Sequence, residues 1–119
     1  MQNYNHVVIT GFLAADPQLR KISKNSVAAR FNLGVNDTWT DDSGNPQQRV
    51  NWIPVTFFNG NAQNAIKYLK KGSHVLIEGA LRTSTWTDDE TKKKRFSMEV
   101  IGTRFNFLDR KPEDEQQAF

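Results

Sequence analysis

Apolar and polar residues alternate with a period of two through most of this 119-residue chain, and a helical pattern interrupts them only once. Alternation of that kind builds strands with one buried and one wet face, because successive side chains of a strand point to opposite sides. The first such run covers about 5–13, with Val7, Ile9, Gly11 and Leu13 on one face and a turn marked by Asp16-Pro17. In 27–36, Val27, Ala29, Phe31, Leu33 and Val35 face one way while Ala28, Arg30, Asn32, Gly34 and Asn36 face the other. In 49–58, Ile53, Val55 and Phe57 form the core side, which sends Trp52, Pro54, Thr56 and Phe58 to the opposite one. The cluster Asp41-Asp42-Ser43-Gly44-Asn45-Pro46 joins these two strands as a hairpin turn.

The interruption is Ala62, Ala65, Ile66 and Leu69, an i, i+3, i+4, i+7 stripe. Asn59 or Asn61 is expected to cap this helix and Gly72 to end it, with Lys70 and Lys71 in its last turn. In 74–86, Val75, Ile77, Gly79 and Leu81 are expected to point inward, with Leu76, Glu78, Ala80, Arg82, Ser84 and Trp86 outward. In 95–108, Phe96, Met98 and Val100 share one phase but Ile101, Phe105 and Phe107 share the other, so a bulge is expected near Gly102. Three strands, one short helix and two strands give an all-β chain with the layout of the OB-fold, a five-stranded Greek-key barrel with its helix between strands 3 and 4. Gly11, Gly34 and Gly79 suit its tightly coiled strands.

Catalytic chemistry finds little support. The chain has no cysteine and only His6 and His74, which argues against thiol chemistry and imidazole-rich metal centres. Neither a G-x-x-x-x-G-K-[ST] loop nor a G-x-G-x-x-G fingerprint occurs. Asp41-Asp42 and Asp88-Asp89 sit in turns, where acids serve local hydrogen bonds. No enzyme activity, cofactor or metal is expected. No apolar run approaches about 18 residues, and Met1 to His6 lack the pattern of a signal peptide, so the expected location is cytoplasmic.

The aromatic residues carry the positive signal. Trp39, Trp52, Phe58 and Trp86 fall on solvent-side phases or strand ends, and Trp-Thr-Asp-Asp occurs at both 39–42 and 86–89, each time before a hairpin turn. Exposed tryptophans need a covering partner. Single-stranded nucleic acid is one, since each base can stack on a ring; a second subunit is the alternative. Phosphates call for cations, and the candidates are Arg20, Lys21, Arg30, Arg49, Arg82 and the run Lys92, Lys93, Lys94 and Arg95, which also reads as a solvated loop. The net charge is +3, and the acids Glu113, Asp114 and Glu115 near the C-terminus leave the rest of the chain more basic still.

The segments Val7-Val8-Ile9-Thr10-Gly11-Phe12-Leu13, Asn51-Trp52-Ile53-Pro54-Val55, Tyr68-Leu69-Lys70-Lys71-Gly72-Ser73-His74-Val75-Leu76-Ile77-Glu78-Gly79 and Leu81-Arg82-Thr83 with Trp86 resemble the bacterial-type single-stranded DNA-binding proteins, over about 4–108. The resemblance implies a nucleic-acid-binding OB-fold over 1–108, followed by a short acidic tail over 109–119. It implies four aromatic stacking positions, here Trp39, Trp52, Phe58 and Trp86, and a homotetramer, with a dimer as the alternative. The implied function is sequence-independent binding and protection of single-stranded DNA in replication, recombination and repair, at the bacterial nucleoid. The family often carries His-Arg where this chain has Ile53-Pro54, and a long linker that is missing here. Glu113, Asp114, Glu115 and Phe119 look like a shortened version of the acidic tip that the family uses to recruit replication and repair enzymes; a frayed terminus is the alternative. Two rival functions stay open: a primosome-type OB-fold partner in replication restart, and an interaction module without nucleic-acid binding.

Overall fold

A computed structural model describes residues 3–108. Its elements are β1 (Val7–Leu13), β2 (Gln18–Ser23), β3 (Ser26–Thr40), β4 (Pro46–Phe58), α1 (Asn59–Tyr68), β5 (His74–Thr87) and β6 (Lys94–Phe107). Each strand of the barrel pairs on both sides. β1 joins β5 along Val7↔Gly79 to Phe12↔His74 and crosses to β3 at Phe12↔Gly34 and Leu13↔Leu33. β5 pairs with β6, β6 runs parallel to β4 at Val55↔Val100 and Thr56↔Ile101, and β4 pairs with β3. The circuit β1-β5-β6-β4-β3 closes, so the expected OB barrel is present.

The sixth strand is a finding against the five expected. β2 takes up the same edge of β3 that β1 leaves, pairing from Gln18↔Arg30 to Ser23↔Ser26. The chain steps across through the Ala14 N–H, which donates to the Asn32 carbonyl at 3.0 Å. β2 thus continues the first strand beyond the break at Asp16-Pro17. Alternation does not reveal it, because Gln18-Leu19-Arg20-Lys21-Ile22-Ser23 buries neither face.

The core follows the expected phases within the barrel: Ala29, Phe31, Leu33, Val55, Phe57, Val75, Ile77 and Val100 are buried, with Leu13 beside them. Two close approaches show why glycine is needed. A Cβ on Gly11 would run into the carbonyl of Gly34, and one on Gly79 into the carbonyl of Ile101. The bulge is also present: Glu78 pairs with Arg104 but Gly79 pairs with Gly102, which leaves Thr103 as the extra residue.

The helix begins and ends differently from expectation. Asn59 caps nothing; its Oδ1 instead accepts from the Val27 N–H at 3.2 Å and ties the helix start to β3. The helix stops at Tyr68 with Leu69 already extended, so Lys67, not Lys70 or Lys71, occupies the last turn. Gly72 has positive φ in the following turn, where its N–H donates to the Leu13 carbonyl. Ala62, Ala65 and Leu69 are buried, whereas Ile66 lies at the rim, partly exposed.

Leu81, expected to point inward, is corrected, and two residues that share the phase of Val100 are exposed with it. Leu81, Met98 and Phe96 are 44%, 46% and 62% exposed. They keep the phase of Ile77 and Val100, but past Gly79 on β5 and before Val100 on β6 these two strands pair only with each other. Among the described residues no helix is long and apolar enough to cross a membrane.

Candidate nucleic-acid interface

The outer face of β3 and β4 is a row fixed by register. Trp52 lies opposite Gly34, Pro54 opposite Asn32, Thr56 opposite Arg30 and Phe58 opposite Ala28. Six residues of strand separate Trp52 from Phe58 by about 20 Å, room for several nucleotides. The Trp52 indole lies against the Gly34 backbone, where a Cβ would come within 2.8 Å of the ring. That seat leaves Trp52 58% exposed. Beyond Ala28 the row continues to Arg20 on β2, while Lys21 falls on the other phase with Val27. Arg20 and Arg30 line a cleft of about 440 Å³ together with Asp16, Gln18 and Asn32.

Phe58 is flanked from the other side by β5. The Arg82 guanidinium sits 5.4 Å from the centre of its ring and donates to Oε1 of Glu99 at 2.8 Å. The second oxygen of Glu99 accepts from the Thr56 hydroxyl at 2.9 Å. Thr56 was expected to face solvent; Glu99 covers it, and it is buried. Burial pushes the Glu99 carboxyl up, but hydrogen bonds from Arg82 and Thr56 and the charges of Arg82 and Arg30 outweigh that and hold it below its ordinary value. Sequence reasoning missed Glu99 and Thr56. The available signal was cross-strand counting from the hairpin turn, which sets Glu99 directly opposite Arg82.

Two hairpin arms extend from the barrel, β3–β4 ending at 41–45 and β5–β6 at 88–93. Each carries a tryptophan near its tip. Trp39 is opposite Gln47 on the phase of Leu33 and Val35, so it faces the other side of its ribbon from Trp52. Arg49 lies over its ring at 5.4 Å while pairing with Asp37 at 3.1 Å. A cleft of about 500 Å³ opens there between Thr38, Trp39, Pro46 and Gln47. Trp86, opposite Arg95, keeps the outward phase of Arg82 and borders a smaller hollow with Thr85, Thr87 and Lys94.

The first aspartate of each Trp-Thr-Asp-Asp serves its turn, as expected. Asp41 Oδ1 accepts from the Asn45 and Ser43 N–H groups at 2.8 and 3.0 Å, and Asp88 Oδ1 from the Glu90 N–H at 2.9 Å. The hydrogen bond from Asn45 leads in holding the Asp41 carboxyl below its usual value. No group of three metal-ligating residues occurs among the described residues.

The cations divide into two sets. Arg49, Arg82 and Arg95 are committed to Asp37, Glu99 and Asp88, the last at 3.4 Å. Among the described residues, Arg20, Lys21, Arg30, Lys92, Lys93 and Lys94 are exposed and make no ion pair. Lys92, Lys93 and Lys94 lie at the β5–β6 tip, in the same arm as Trp86. Glu113, Asp114, Glu115 and Phe119 lie outside the described residues.

A model of the single-strand binding protein family matches residues 4–108. The chain is 35% identical over 115 residues to single-stranded DNA-binding protein 1 of Xylella fastidiosa, covering 96% of this chain and 84% of that protein. It is 34% identical over 104 residues to single-stranded DNA-binding protein 1 of Chlorobaculum tepidum, covering 87% of this chain and 64% of that protein. A solved structure of the Plasmodium falciparum SSB in complex with single-stranded DNA superposes with a TM-score of 0.82 at 23% identity, over 92% of this chain and 98% of that one.

Proposed function

Because the chain belongs to the single-strand binding protein family, we propose that it binds single-stranded DNA without sequence preference, along the outer row of Trp52, Arg30 and Phe58 and onto the two arms. The observation that carries the path is the seating of Trp52. Its ring lies against a glycine while more than half of the residue stays exposed, the arrangement a stacking platform needs. Sequence tolerance follows, since every base offers a π-face while phosphates meet Arg20, Arg30 and the lysines of the β5–β6 tip. This mode of action is non-enzymatic, and its roles would be protection of single strands in replication, recombination and repair.

The test is a titration of the intact protein with oligo-dT and with a mixed-sequence oligonucleotide, followed by tryptophan fluorescence. Saturable quenching with similar affinities is expected, and no quenching overturns the proposal. Log affinity should fall with log salt by about 0.7 per neutralised phosphate. Replacing Lys92, Lys93 and Lys94 together by alanine should flatten that slope; an unchanged slope removes the tip from the path.

The second part of the proposal is assembly. The outer face of β1 and β5 exposes Val8 and Phe12, with Phe12 stacked on His74 at 4.3 Å and Leu76 across from Thr10. An apolar strip on a paired sheet suits a second copy of this chain. Light scattering should return a multiple of 13.6 kDa, and Phe12→Asp should lower it.

A further inference from the structure

Resting on that reading of the site, we infer that Glu99 is a positioning residue that dedicates Arg82 to the Phe58 ring, so that this guanidinium serves the DNA as a stacking layer and not as a phosphate contact. The neighbouring cations set the problem. Arg20 and Arg30, on the same outer surface, are exposed and make no ion pair, although the charge of Arg30 also acts on Glu99. Arg82 has the same side chain but a different environment. It lies across Phe58 and is held there by a carboxylate whose other oxygen is fixed by Thr56.

The anchor is firm because it spans three strands. Thr56 belongs to β4, Glu99 to β6 and Arg82 to β5, at the seam where β4 and β6 run parallel. Glu99 is sheltered, with its side chain 12% exposed, while that of Arg82 is 50% exposed. DNA approaching this face therefore meets the open side of the guanidinium and not the carboxylate. A guanidinium plane stacks on a base much as an aromatic ring does. Phe58, Arg82 and a base would then form three layers.

The consequence is a separation of charge from stacking. Only a cation that neutralises a phosphate releases a counterion and steepens the salt dependence. Arg82, already neutralised by Glu99, adds contact without adding salt sensitivity. Releasing it would turn it into an ordinary phosphate ligand.

The experiment is oligo-dT affinity across a tenfold range of salt for the full chain, its Glu99→Gln and Arg82→Ala variants, and the double variant. For Glu99→Gln the slope of log affinity against log salt should steepen by about 0.7, so that its affinity relative to the parent falls about fivefold over that range. Arg82→Ala should bind more weakly at every salt concentration with the parent's slope, and the double variant should show that same slope. Parallel lines for parent and Glu99→Gln overturn the inference. Steepening that persists in the double variant also overturns it, because Glu99 would then act as a general repulsive charge. Should Glu99→Gln fail to fold, Thr56→Val removes one of the two anchors of the carboxylate; it should steepen the slope by less, and no change overturns the inference. If the parent itself fails to bind oligo-dT, the proposed function fails. If the parent binds and the lines stay parallel, only the role of Glu99 does.

Discussion

The barrel and its two arms are cut from the same strands, β3 with β4 and β5 with β6, yet they put the same alternation to different uses. Within the barrel the inward phase is buried, as with Leu33, Val55, Phe57 and Ile77. On the arms that phase still carries apolar residues, Trp39 on one and Leu81, Met98 and Phe96 on the other, and they are exposed. Alternation fixes which side chains share a face. It does not fix what stands across from that face. The barrel supplies its own cover; the arms do not.

The largest expected effect tests the barrel half of this contrast. Phe57 is fully buried, packs against Phe31 and Phe105, and has its ring over Gly102. Phe57→Ala should cost about 3–5 kcal/mol of stability by thermal or denaturant unfolding. A change below about 1 kcal/mol would mean that the barrel is not the stable unit.

Much of this contrast could be read in the sequence and part could not. The phases of β3, β4 and β5 were legible because each has one face in a closed core. The bulge at Thr103 was legible because Val100 and Phe105 demand opposite phases. The exposure of Leu81, Met98 and Phe96 was not, since an apolar residue on an arm looks the same as one in a barrel. β2 was hidden because it is exposed on both faces. On the outer surface, Trp52 and Phe58 were legible as residues off the core phase of β4 and Trp86 as one off that of β5, whereas Trp39 shares the phase of Leu33 and stood out only by its place near a strand end. Glu99 was not, because its role depends on β4 lying beside β6, a parallel contact between strands separated by a helix and another strand.

A smaller effect is expected at the binding surface, and it should separate binding from folding. Trp52→Ala and Trp86→Ala should each weaken oligo-dT binding by about 1–3 kcal/mol while leaving the melting temperature nearly unchanged. Gly34→Ala sharpens the test. Its new Cβ would meet the Trp52 ring, an exposed side chain that is able to move, whereas the same change at Gly11 meets backbone. Gly34→Ala should therefore act mainly on affinity and Gly11→Ala mainly on stability. Equal effects of the two on melting would erase the distinction between seat and barrel.

The smallest effect concerns acid, and it compares a carboxylate at the barrel seam with one on an arm. Glu99 at the seam faces Arg30 of β3, Thr56 of β4 and Arg82 of β5, and its carboxyl lies below its ordinary value of 4.5. Asp41 on the β3–β4 tip is also lowered, by hydrogen bonds from its own turn. A carboxyl lowered on folding favours the folded state above its unfolded value, and that contribution fades as pH falls through the lowered folded value. Both groups therefore contribute at neutral pH; on acidification the contribution of Glu99 fades below about 4.5 and that of Asp41 below about 3.8. They differ in what each holds. Protonating Glu99 releases a contact that ties three strands of the barrel together, while protonating Asp41 loosens only a solvated turn. Melting temperature measured from pH 6 to pH 3 should accordingly fall less steeply in Glu99→Gln than in the parent, and Asp41→Asn should follow the parent. If Asp41→Asn flattens the acid limb and Glu99→Gln does not, the arm and not the barrel seam governs acid stability.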